Sequence, residues 1–411
     1  MKRKSLAVIV LAVLSLAAGS ALWAESGLRP WNHSTNPAFF SFGSRKFVEL
    51  GTSVESAFGN TAFGLSDVFT RVLVIDLNDI YSKTPDDGLR LAAGAAAETH
   101  LALQFGRLGL GFYADTYDLS RTVIPRTFIG LLAEGNELGQ AYTGSAEILQ
   151  RAFAQAGAFA SFEIGGFVVA GKFSAFAPVA YSGADTRAIF ELETGDDGTI
   201  RGEVSGSGSV YTSFGDDGFQ GYGFNASLGL VRPDSKGKPL YGGALNNIPV
   251  VAARPGYLIE IEQFRFEFEA SDLLDSLSQE LDLFSSVSEG GEVEMRLLAA
   301  SERPKVHMPL SVSGFYRLAV PVIDIIPSAE VVLQSPVRLN AKLAIEGNVF
   351  PANLFSLGFG WHDYLWQASV GLRVPLRVFE LAVQVGSAGT ELAGLFDLRG
   401  VRANLALALG Y

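Results

Sequence analysis

Arg402-Ala403-Asn404-Leu405-Ala406-Leu407-Ala408-Leu409-Gly410-Tyr411 closes the chain. In extended backbone, successive side chains point to opposite faces. Ala403, Leu405, Leu407, Leu409 and Tyr411 then share one face. Arg402, Asn404, Ala406, Ala408 and Gly410 share the other. One face is apolar and finishes on an aromatic ring. The other carries a guanidinium, an amide and small residues. A strand of a soluble sandwich has the same period of two, so the apolar face has two candidate solvents: a protein core or a bilayer.

The pattern repeats backwards along the chain. Phe379–Gly386, Trp366–Val374, Phe355–Trp361, Val337–Gly347, Val322–Gln334 and Val306–Leu318 read as strands. In Val337–Gly347, Val337, Leu339, Ala341, Leu343 and Ile345 face outward, and Arg338, Asn340, Lys342 and Glu346 face inward. Trp361, Tyr364 and Trp366 gather at one end, as interfacial aromatics do. In Tyr257–Ala270 the alternation changes phase after Glu262-Gln263, which predicts a β-bulge there. That bulge would put Glu260, Glu262, Arg265, Glu267 and Glu269 on one lumen-facing side. Further forward, Leu89–Phe105 and Leu108–Leu119 flank the Gly106-Arg107 turn. Ala158–Ile164 and Phe167–Phe176 flank Gly165-Gly166. Asp185–Leu192 and Ile200–Phe214 flank a turn at Thr194–Gly198. Phe47–Phe58 reads as a first strand or as a continuation of the segment before it.

Four stretches read otherwise. Ser120–Gln150 and Arg232–Asn247 are expected to be loops, with a short helix within Tyr142–Ala156. Ser66–Tyr81 mixes helix and strand signals. Asp272–Ser288 has the strongest helical period, with Leu273, Leu274, Leu277, Leu281 and Phe284 on one stripe. Lying between strands, it belongs to a loop.

Composition narrows the function classes. The 411 residues are 48% hydrophobic, with 46 Gly and 30 Phe. No run after the N-terminus reaches the roughly 20 apolar residues of a spanning helix. Residues 1–24 read as a signal peptide. Lys2, Arg3 and Lys4 precede an apolar Leu6–Ala18 core and small residues that allow cleavage after Ala21 or Ala24. Without cysteine there is no disulfide, thiolate metal site or lipoprotein anchor. The formal charge of −12 argues against a nucleic-acid partner. His33, His100, His307 and His362 lack ligand spacing, so no metal and no cofactor are expected. No nucleophile is singled out beside a base, and Gly206-Ser207-Gly208 reads as a loop. Glu49 and Glu55 could supply paired carboxylates but read as pore lining. An enzyme is not expected.

A last strand with apolar outward positions and a terminal aromatic resembles that of bacterial outer-membrane β-barrels. The resemblance implies that Leu405, Leu407, Leu409 and Tyr411 form a signal for the barrel-assembly machinery. Ser34-Thr35-Asn36-Pro37-Ala38-Phe39-Phe40 resembles the N-terminal NPA segment of long-chain fatty-acid transporter-like barrels. In that family the segment is a hatch within the lumen. The resemblance implies an all-β, transmembrane antiparallel barrel of about 14 strands (12–16 possible) over 47–411, with an N-terminal lumenal hatch over 25–46. Trp31, Asn36, Pro37, Ala38, Phe39 and Phe40 would line the path of a hydrophobic small-molecule ligand. The barrel would sit in outer-membrane lipid after export and pass long-chain fatty acids or similar solutes by diffusion. The alternative is a structural or interaction barrel, such as a surface adhesin or a secretion-apparatus shuttle subunit.

Overall fold

The computed structural model describes residues 35–42, 47–64, 76–134, 139, 141–183, 186–194, 200–216, 218–270, 293–350, 353–376 and 378–410. Five strands start the wall and pair in chain order: β1 (Val48–Asn60), β2 (Leu89–Phe105), β3 (Leu108–Ile124), β4 (Ala141–Ile164) and β5 (Phe167–Ser182). The chain then leaves the wall for β6 (Arg187–Thr194), β7 (Ile200–Thr212) and the small ribbon of β8 (Phe214–Gly215) and β9 (Gly218–Phe219). It returns as β10 (Gly223–Pro233), paired to β5, and β11 (Pro239–Val251). β12 (Tyr257–Ala270) departs again to pair with β7 and β13 (Val293–Leu297). β14 (Ser311–Tyr316) resumes the wall against β11, and the short β15 (Leu318–Ala319) leads into β16 (Ile323–Val332). The rest is a meander of β17 (Arg338–Phe350), β18 (Asn353–His362), β19 (Leu365–Pro375), β20 (Phe379–Gly389) and β21 (Gly400–Gly410).

β21 pairs with β1 from Gly410 opposite Glu49 to Gly400 opposite Gly59. That ladder closes a ring of 14 antiparallel strands, β1-β2-β3-β4-β5-β10-β11-β14-β16-β17-β18-β19-β20-β21. Closure satisfies the edge groups that an open sheet would present to lipid. The wall is inverted relative to a soluble core. Phe112, Leu228 and Leu339 are exposed on its outside (67, 58 and 56%). Asn225, Asn340, Gln384 and Asn404 are buried within. An apolar outside and a polar inside are what a bilayer selects, so the fold is a transmembrane barrel. Among the described residues no helix is long and apolar enough to cross a membrane.

The two ends differ. Where β1 begins and β21 ends, the turns are tight. Gly165 and Gly166 join β4 to β5 at φ 58° and 75°, in the left-handed region where glycine carries no Cβ penalty. The longer connections gather at the far end. One contains a helix, Leu77–Lys83, started by Asp76, whose carboxylate accepts from the backbone N–H groups of Asn78 and Asp79. Another contains the Arg126–Glu134 helix. β6, β7, β12 and β13 extend the sheet from the upper part of β4.

Several expectations need correcting. The Ser120–Gln150 loop is mostly structure: β3 runs on to Ile124, a helix follows, and β4 starts at Ala141. Tyr142–Ala156 is strand, not helix, because it pairs with β3 on one side and with β6 or β5 on the other. Ladder pairing outweighs the weak local preference of an Ala-rich stretch. The Arg232–Asn247 loop shrinks to a turn at Asp234–Lys238, and Gly206–Gly208 lies within β7. The bulge is present. Ile261 pairs with Gly208 and Phe264 with Gly206, which leaves Glu262 and Gln263 opposite one residue. β12 is nevertheless outside the ring, because its neighbours are β7 and β13. Glu260, Glu262, Arg265, Glu267 and Glu269 therefore stand on the extension rather than on the barrel wall. Glu260 is partly exposed and meets Arg296 of β13 at 3.4 Å. The signal peptide, Trp31, the Leu273–Phe284 stripe and Tyr411 lie outside the described residues.

Candidate functional site: the barrel lumen

Thr35 to Phe42 lies inside the wall as a turn followed by a 3-10 helix, Pro37–Phe42. Asn36 holds it in two directions. Its Oδ1 accepts from the Ala38 N–H at 3.0 Å, which shapes the turn. Its Nδ2 donates to the wall carbonyls of Gly243 (3.1 Å) and Leu230 (3.3 Å), which face each other across β10 and β11. Only an amide of this length can accept locally and donate to the wall. Thr35 O accepts from Asn246 Nδ2 (2.8 Å) and Ser313 Oγ (2.6 Å). Gly229 makes this approach feasible, since a Cβ there would overlap Asn36 Oδ1 and the Pro37 ring.

The aromatic residues of the turn anchor on the same half of the wall. The Phe40 and Phe159 rings stack at 3.7 Å, and Phe39 tilts against Phe315 at 5.2 Å. Ala38 and Phe39 pack with Val168, Ala170 and Val231. A second apolar cluster, Phe153, Phe176, Ala253, Val306 and Met308, continues toward the far end. Beside the turn, β3, β4, β5 and β10 thus present apolar clusters interspersed with buried polar groups, among them Gln155, Ser161, Lys172, Ser174, Asn225 and Ser227. A further polar group lies next to these on β1 and β2. His100 lies 3.1 Å from Glu98 and 3.4 Å from Glu49, with the Phe40 ring at its edge.

The opposite half is polar. Arg338, Asn340 and Glu346 are buried inward on β17, with Lys342 half-buried between them. Glu380 receives Arg373 through two hydrogen bonds, at 2.8 and 3.0 Å. Arg402 pairs with Glu55 at 2.5 Å. Two adjoining cavities, of about 130 and 180 Å³, lie between the halves, and Thr35, Glu55, Glu330 and Asn340 border both. The lower one adds Phe39, Phe315, Lys342 and Arg402. The upper one adds Glu98, Asp115, Met308 and Asp363. Arg338 crosses the lumen to the Tyr117 hydroxyl at 2.9 Å and also binds Asp363.

The structure brings Asn36, Pro37, Ala38, Phe39 and Phe40 together inside the wall and buries each of them. It places Arg338, Asn340, Lys342 and Glu346 inward as well. Leu405, Leu407 and Leu409 share the outer face of β21, with Arg402, Asn404 and Ala408 buried behind them. Glu49 and Glu55 face inward, but to different partners. The sequence gives no local signal for Gly229, Ser313, Tyr117 or Asp363. Each takes its role from a residue more than 190 positions away, apart from the Arg338–Asp363 contact.

No family model matches the chain, and no curated protein sequence matches it. Its fold is similar to solved barrels. A Pseudomonas aeruginosa FadL homologue is 10% identical, over 95% of this chain and 97% of that one, with a TM-score of 0.46. The Ralstonia pickettii toluene transporter TbuX is 10% identical, over 92% of each chain, at 0.42. The translocator domain of the autotransporter NalP from Neisseria meningitidis is 9% identical, over 89% of each chain, at 0.32.

Proposed function

We propose that this chain is an outer-membrane channel for the uptake of hydrophobic small molecules by diffusion. Long-chain fatty acids are the solutes that the NPA resemblance names. The carrying observation is the set of apolar clusters inside the wall, with Asn36–Phe42 seated against them through side-chain bonds to wall carbonyls. In this reading residues 25–46 are a hatch, and the apolar clusters offer a solute a path past it. No covalent step is required. Residues 1–24 direct export, the assembly machinery reads the last strand, and outer-membrane lipid covers the apolar outside.

Deleting Trp31–Gly43 tests the reading. The wall strands carry the fold, so the deletion should leave a heat-modifiable barrel that conducts in planar bilayers and leaks small solutes. Silence from an intact deleted barrel would overturn it. The second reading, an adhesin or secretion-apparatus barrel, draws support from the β6–β7–β12–β13 extension. It expects a null strain to lose partner binding and to keep apolar-solute import.

A further inference from the structure

The upper cavity is short of positive charge on its own surface. Glu55, Glu98, Asp115, Asp118, Glu330 and Asp363 bring carboxylates to it, against the Arg338 guanidinium and the His362 imidazole. Arg338 is committed to Asp363 and Tyr117. Most of the carboxylates have a cationic neighbour. Glu55 has Arg402, Glu98 has His100, and Lys172 acts on Asp115 from behind the lining. Lys342 lies lower on β17, near Glu346.

Asp118 also borders the cavity and accepts from the neutral Gln150 amide at 2.5 Å. Glu330 likewise has only neutral partners. Its oxygens accept from Ser311 Oγ at 2.6 Å and from Asn340 Nδ2 at 3.1 Å, both neutral donors. Among the described residues it forms no salt bridge. Beside it is a second acceptor. Asn246, 2% exposed, is the cross-strand partner of Ser311 and borders the same cavity. Its Nδ2 is used by Thr35, and its Oδ1 has no partner among the described residues. A buried acceptor left unsatisfied is destabilising unless something donates to it. A carboxylate and an unpartnered, buried amide oxygen therefore flank Ser311, with Met308, Val332 and Leu365 on the same cavity.

We propose that the upper cavity binds the ammonium head of an apolar amine, with Glu330 as its charged acceptor, the unpartnered Asn246 amide oxygen turning to it as a second, and the neighbouring apolar side chains against its body. A carboxylate head would meet like charge there. This rests on the uptake reading and narrows its solute class.

The test uses the full barrel in zwitterionic nanodiscs, with binding to empty nanodiscs subtracted. The probes are radiolabelled 4-phenylbutylamine, 4-phenylbutanol and 4-phenylbutyrate, which share a body and differ in the head. The amine should bind at least about tenfold more tightly than the other two. Glu330→Gln keeps the side-chain shape and should bring the amine within about twofold of the alcohol, with heat-modifiability unchanged. N,N,N-trimethyl-4-phenylbutylammonium keeps the charge without N–H donors and should bind several-fold more weakly than the amine. The proposal is overturned if the carboxylate binds as well as the amine. It is also overturned if the amine's advantage survives Glu330→Gln, or if the trimethyl probe loses nothing. Equal binding of amine and alcohol removes the head-group assignment alone. Binding of none of the three to an intact barrel removes the uptake reading with it.

Discussion

Tyr117 and Arg338, 221 positions apart, meet across the lumen, where Arg338 Nη1 donates to the Tyr117 hydroxyl at 2.9 Å. The same hydroxyl donates to Asp363 Oδ2 at 3.1 Å. One oxygen thus joins β3 to β17 and to the β18–β19 turn. Tyr117→Phe should remove this tie at a cost of about 1–3 kcal/mol, since it leaves buried charged partners without it. Urea unfolding in lipid vesicles would measure the loss. Unchanged stability would mean that the bridge does not hold the walls together.

The seat of Asn36 predicts a paired phenotype. Asn36→Asp turns a donor toward the Leu230 and Gly243 carbonyls into a carboxylate. Gly229→Ala places a methyl where Asn36 Oδ1 and Pro37 lie. Both should release the Pro37–Phe42 turn and leave the wall intact. Faster proteolysis N-terminal to Phe47, together with raised bilayer conductance, is the expected result. If either variant leaves both readouts at wild-type level, the turn is held by other contacts.

Adjacent residues on β17 should respond oppositely. Leu343 is outward and 40% exposed, whereas Lys342 faces in. Leu343→Arg puts a charge among lipid tails and should cost about 2–4 kcal/mol near mid-bilayer, with Lys342→Leu mild. Refolding titrations of the two variants compare them directly. Equal losses would contradict the facing.

The β10–β11 turn should be acid-sensitive. Burial by itself would raise the Asp234 carboxyl. The Lys238 N–H, the Arg317 guanidinium and the Lys236 N–H outweigh it and hold the group below its ordinary range. A folded-state value below the unfolded one, about 3.9 for Asp, stabilises the fold at higher pH. That contribution is lost as pH falls through the folded value. The stability gap between wild type and Asp234→Asn should be constant at neutral pH and should close in strong acid. A gap independent of pH from 6 to 2 would show that the ion pair contributes nothing.

By itself, the sequence determined the material of the wall. The period of two in Arg402–Tyr411 and Val337–Gly347 dictated strands, and the polarity of alternate positions dictated which face meets lipid. The bulge at Glu262-Gln263 was legible for the same reason, since a phase change is local information. The Asn36-Pro37-Ala38 turn was marked by its own residues. Tertiary structure alone decided which strands close the ring. β12 has the alternation of a wall strand, yet it pairs with β7 and β13 on the extension. Tyr142–Ala156 became strand because β3, β5 and β6 offered it ladders. The lumen was likewise out of reach: Gly229 under Asn36, Tyr117 under Arg338 and Asn246 beside Ser311 are neighbours only after closure. Periodicity reports a residue's own strand, whereas strand partners are chosen by hydrogen bonds between segments far apart in the chain.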